Sequence, residues 1–141
     1  MQHYGRIIAS SIVHLTSHVT LDLSWAGNGS VILHNEAVLQ LRSVNVWLRS
    51  GTSLLVSRLE LASDGHVFGP LQPAAARVVV TDSLRMIARC MLMNHVQLLL
   101  RGLAVSVFGN EISCLLLSSD AQLVVEANSA AHLENFGCFE R

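Results

Sequence analysis

The stretch RVVVTDSLRMIARCMLMNHVQLLLRG, residues 77–102, decides the fold, because it reads in two ways. As a helix it would run over 83–101, with Thr81-Asp82-Ser83 as caps and Gly102 as terminator. At 100° per residue, however, Arg85, Arg89, Asn94, His95, Gln97 and Arg101 fall around most of the circumference instead of leaving one apolar stripe. Such a helix would carry arginine into a core. As strands, the same residues resolve into RVVV (77–80), CMLM (90–93) and VQLLL (96–100), short Val/Leu-rich runs parted by polar residues. The strand reading ranks first. A helix at 83–101, within an α+β or OB-like barrel, is its alternative.

The same texture recurs in VTLDL (19–23), SVIL (30–33), VLQL (38–41), VNVWL (44–48), SLLV (53–56), LEL (59–61), AVSV (104–107), CLLL (114–117) and QLVV (122–125). It also repeats at a fixed interval. Cys90, Cys114 and Cys138 are spaced 24 and 24, in the phrases ARC-MLM, ISC-LLL and FGC-FE, and His66 in DG-HVF lies one step earlier. Leu54-Leu55-Val56 precedes Val78-Val79-Val80 by 24, and Val31-Ile32-Leu33 lies 23 before that. Later copies drift: Val105–Val107 is displaced by 27 and Leu123–Val125 by a further 18, as a loop insertion and a compensating deletion would produce.

Several short strands in each 24-residue unit describe one coil of a parallel solenoid. A coil cannot bury its own interior; stacking at about 4.8 Å pairs every backbone edge with the next rung. The expectation is an all-β, single-stranded right-handed parallel β-helix of about five coils. It forms one domain over 1–141, with 1–17 as an N-terminal cap and 18–141 as the repeat. Like residues would stack on like, giving a ladder of His66, Cys90, Cys114 and Cys138, since cysteine suits a narrow interior.

The phrases AVSVFGNEIS (104–113), QLVVEANSA (122–130) and RVVVTDSLRMIARCMLMNH (77–95) resemble right-handed parallel β-helix repeats of the pectate-lyase-like type, over about 28–138. In that family an apolar strand is followed by a turn carrying Asn or Ser; the resemblance implies a turn ladder of Ser83, Asn110 and Asn128. Family enzymes act on polysaccharides through acids and bases gathered on one outer face. Here Asp22, Asp64, Asp82 and Asp120 are scattered among repeat phases, so no catalytic residue carries over. The resemblance implies fold, not chemistry.

Composition narrows the rest. In 141 residues, 51% are apolar and 13% charged, against about 25% charged in ordinary domains, which excludes a disordered chain. Lysine is absent, and ten acids balance nine arginines at a net charge of −1. No field draws the chain to nucleic acid, and seven Phe/Tyr/Trp without lysine make a poor single-strand reader. No apolar run reaches the roughly 18 residues of a membrane span. Arg6 ahead of IIASSIVHL imitates a signal peptide, but the apolar part is short and Ser-rich and reads as a first strand or cap. Three cysteines in no metal-binding pattern point to reduced thiols and an intracellular address.

Chemical motifs are thin. His14 and His18 would share a helix face as metal ligands do, but they fall in strand-like sequence without a third ligand. GxSxG is absent, and SWAGNGS (24–30) lacks GxGxxG and the lysine of a phosphate loop. Trp25 and Trp47 could stack on sugar rings; buried packing is the plainer reading. No cofactor or metal is expected. The chain therefore reads as a non-enzymatic structural or protein-interaction module, a subunit of a larger assembly or self-associating. Its association end would be at Phe136 and Phe139. The alternative is a carbohydrate-binding or carbohydrate-active β-helix protein.

Overall fold

The computed structural model describes the strands named below and the connections at 50–51, 69–71, 74–75, 94–95, 101–104, 109, 120–121 and 126–130. Side chains are described at Leu39, Val46 and Leu48, and from Ser50 onward except at 52, 62–65, 72–73, 88, 110–113, 119, 135–139 and 141.

Strands follow one another around three sides, level by level. β1 (Arg6–Ala9), β2 (Val13–Leu15) and β3 (Val19–Leu23) form the first level, and β4 (Ser30–Leu33), β5 (Val38–Arg42) and β6 (Val44–Leu48) the second. In the third, β7 (Ser53–Ala62) spans two sides and β8 (His66–Phe68) the remaining one; β9 (Ala76–Ile87) and β10 (Arg89–Met93) repeat this in the fourth. The fifth holds β11 (Val96–Leu100), β12 (Val105–Phe108) and β13 (Cys114–Ser118), the sixth β14 (Gln122–Val125), β15 (Ala131–Glu134) and β16 (Cys138–Glu140). Each strand pairs in parallel with its counterpart one level on, at offsets from 20 residues (Leu39 to Leu59) to 26 (Val13 to Leu39). A ten-stranded and a six-stranded sheet result, together a curled, all-parallel, solenoid-like fold. It has six levels where about five were expected. β1 and β2 continue the columns of β4 and β5, so residues 6–15 enter the stack.

No helix occurs among the described residues, which overturns the α+β alternative: 83–101 forms the end of β9, then β10 and β11. The reason is a period of two. Leu84, Met86, Cys90, Leu92, Val96 and Leu98 are buried while Arg85, Arg89 and Arg101 are exposed. A strand returns arginine to solvent every second residue; a helix here could not.

Aliphatic residues keep register from level to level, and the described ones on the third to fifth levels face the core. Ile7, Val31, Leu54, Val78, Leu98 and Leu123 share one register position through all six levels. Val13, Leu39, Leu59, Leu84, Val107 and Leu133 share another. On the third side, Leu21, Val46, Val67, Leu92 and Leu117 do the same. Each fully buried member contributes about 1.5–3 kcal/mol relative to exposure.

Outside, the same stacking brings charged and polar groups together. Arg58 Nε meets Asp82 Oδ2 at 2.9 Å, Arg85 Nη1 lies 3.9 Å from Glu60 Oε2, and His95 Nε2 lies 3.3 Å from Asp120 Oδ2. Gln97 Nε2 donates to Gln122 Oε1 at 3.1 Å. Exposed pairs are individually weak, but each is satisfied in one register only, so together they oppose slippage.

One glycine is compulsory. Gly69 N donates to Met93 O at 2.8 Å, and a Cβ at Gly69 would stand 2.5 Å from His95 O. The chain leaving β8 thus presses directly on the turn after β10, where Asn94 takes φ 64° and donates from Nδ2 to Gly69 O at 3.3 Å.

Candidate functional site at the exposed end of the columns

The expected His66–Cys90–Cys114–Cys138 ladder is displaced by one residue in its lower half. Cys114 and Cys138 are register partners, but Cys90 lies opposite Leu115, and the partner of Cys114 on the level before is Arg89. His66 lies opposite Asn45 and Met91. The offset between these levels of the third column is 25, not 24, and one residue moves a side chain to the other face. Cys90 and Cys114 are both buried. The expectation of reduced thiols is also corrected, since Cys114 is disulfide-bonded while Cys90 keeps its thiol.

The turn ladder divides. Asn128 sits in a turn at φ 60°, a conformation asparagine tolerates. Ser83 lies inside β9, in register with Arg58 and Ser106, and is therefore no turn residue. Asn110, Trp25 and Phe136 lie outside the described residues, as do the side chains of Trp47 and Phe139. By backbone, Trp47 is in register with Asp22 and Phe68, and Phe139 with Leu115.

A recess of about 230 Å³ opens on the six-stranded sheet, lined by His66, Arg89, Cys90, Met91 and Leu116. His66 Nδ1 is buried without a hydrogen-bond partner, and the ring stands edge-on to Phe68 at 6.3 Å between centroids. The Arg89 guanidinium at its rim is held by Glu140 Oε2 at 3.1 Å. The walls are chiefly sulfur and aliphatic carbon. No group of three His, Cys, Asp or Glu among the described residues could hold a metal ion.

The more distinctive surface is the sixth level, where β14, β15 and β16 pair on one side only among the described strands. Val125 is the register partner of Leu100, and Leu133 that of Val107, both of which are fully enclosed. Yet Val125 is 47% exposed and Leu133 61% exposed. These are interior positions facing solvent because no level covers them within the described chain. Around them stand Gln122, Glu134 and the Arg101–Glu126 pair. Backbone bonds tie the turn at 126–130 to the level below, with Glu126 N to Leu100 O at 3.0 Å and Ala130 N to Gly102 O at 2.9 Å.

Sequence reasoning placed the association end at Phe136 and Phe139 and missed Val125 and Leu133. Their signal was present: both continue aliphatic ladders whose described earlier members are buried. It becomes readable only when the register is known. No family model, curated protein or solved structure matches the chain. No helix among the described residues is long and apolar enough to cross a membrane.

Proposed function

We propose that the chain is a right-handed, single-stranded parallel β-helix that serves as a non-enzymatic, self-associating structural module. The handedness is supported by a general rule: crossovers between parallel strands of one sheet are right-handed in about 98% of cases. Association is carried by one observation, the exposure of Val125 and Leu133 at positions that are buried on every described earlier level. Edge strands with unpaired N–H and C=O groups recruit further strands unless charge, proline or a cap covers them. The sixth level contains no proline, and Glu126 and Glu140 are already engaged by Arg101 and Arg89. A net charge of −1 adds little repulsion between copies.

Sedimentation velocity of the 141-residue chain across the micromolar range tests this. Concentration-dependent association is expected, and Val125→Asp with Leu133→Asp should abolish it while leaving the circular dichroism of the fold unchanged. A clean monomer at every concentration would sink the proposal.

A further inference from the structure

We infer that the occupant of the exposed end is the first level of a second copy, entering head to tail so that all three parallel columns run on across the junction. This rests on the self-association proposed above and names its partner surface and direction. The first level already has the register the sixth one needs. Arg6, Ser30, Ser53, Arg77, Gln97 and Gln122 occupy one position of the first column. One further step from β14 therefore sets Gln122, Leu123, Val124 and Val125 opposite Arg6, Ile7, Ile8 and Ala9. In the second column the same step sets Leu133 opposite Val13 and Glu134 opposite His14. The aliphatic ladders stay aliphatic through the junction, and the polar column that ends in the Gln97–Gln122 amide pair stays polar.

Charge favours this direction over tail to tail. Residues 1–20 hold Arg6 and no acid; of the four acids in residues 120–140, Asp120, Glu126 and Glu140 already face His95, Arg101 and Arg89, which leaves Glu134 to the junction. Head to tail brings these two ends together. Glu134 would then stand in register with His14, at the position where, inside the chain, Glu60 pairs with Arg85. Tail to tail would reverse the strand direction, in a fold whose described pairings are all parallel. A head-to-tail contact that does not close into a ring generates an open filament.

The two directions differ in outcome. Head to tail predicts species growing past the dimer as concentration rises; a plateau at dimer overturns the inference and leaves self-association standing, whereas a monomer overturns both. Glu134→Arg, on an exposed side chain, should raise the dissociation constant about two- to fivefold at low salt, and adding His14→Glu should restore it. An unchanged constant for Glu134→Arg, or no rescue, counts against the inference. The tail-blocked chain with Val125→Asp and Leu133→Asp, monomeric alone, should still co-sediment with the unmodified protein and shorten its assemblies, because its first level is intact. Failure to co-sediment overturns the head-to-tail direction.

Discussion

Arg101 and Glu126, 25 residues apart, grip one another across adjacent levels through two parallel hydrogen bonds, Nε to Oε2 at 2.6 Å and Nη2 to Oε1 at 3.0 Å. The fork-to-fork geometry suits a guanidinium better than an ammonium, in a chain that has no lysine. The pair pins β14 to β11 beside the exposed end, so its chemistry bears on how well the last level is held.

The hydrogen bond from Arg101, with its charge, holds the Glu126 carboxyl below the ordinary carboxylate range, and the same bond raises Arg101. A depressed carboxyl stabilises the fold above its unfolded pKa, and that contribution is lost as pH falls through the lower folded value. Glu126→Gln should therefore lower the melting temperature at neutral pH. The gap should close as pH is taken below about 4. Thermal unfolding of both proteins across that range checks this; a gap independent of pH would show that the ion pair contributes nothing.

Gly69→Ala should destabilise the protein by about 1–3 kcal/mol, the usual cost of overpacking. The new Cβ would fall 2.5 Å from His95 O and 2.7 Å from Val96 N, both backbone atoms that no rotamer change can move. Urea unfolding measures it, and a neutral result would mean that the turn at 94–95 shifts without cost.

Position along one ladder should set the cost of truncation. Leu84, fully buried in the fourth level, should lose about 2–5 kcal/mol as Leu84→Ala. Leu133 belongs to the same ladder but stands exposed at its end, and Leu133→Ala should cost less than about 1 kcal/mol in the monomer. Denaturant titration at concentrations below association compares them. Equal losses would contradict the observed difference in burial.

Thiol titration should separate the cysteines. A disulfide at Cys114 takes two of the three in the chain, so unfolded, unreduced protein should yield one thiol. The folded protein should react slowly, because the remaining thiol, on Cys90, is 1% exposed. Three rapidly reacting thiols in the folded state would overturn this.

Much of the strand framework was legible beforehand. VTLDL, SVIL, VNVWL, VQLLL and QLVV are β3, β4, β6, β11 and β14 to the residue, because short β-branched and leucine runs between polar breakers have no stable alternative in a period-two fold. The apparent drift of the repeat came from a misplaced rung. VQLLL is the partner of Val78–Val80 at an offset of 20, and Val105–Val107 belongs to the next column, where Val107 faces Leu84. Connections that shorten and lengthen between levels defeat any constant period. β15, with its sequence AHLE and its last three residues exposed, carried too little apolar signal to be seen at all.

From sequence alone came the all-β class, the parallel stacking and the near-constant interval, since alternation and repetition are local and survive without knowledge of contacts. Register came from the folded chain. A one-residue change of offset leaves composition and texture untouched but turns every side chain to the opposite face, and so it moved Cys90 away from Cys114. The exposed end is of the same kind. Val125 and Leu133 look no different in sequence from the buried Leu100 and Val107 beneath them, and only the count of levels above each one makes them surface.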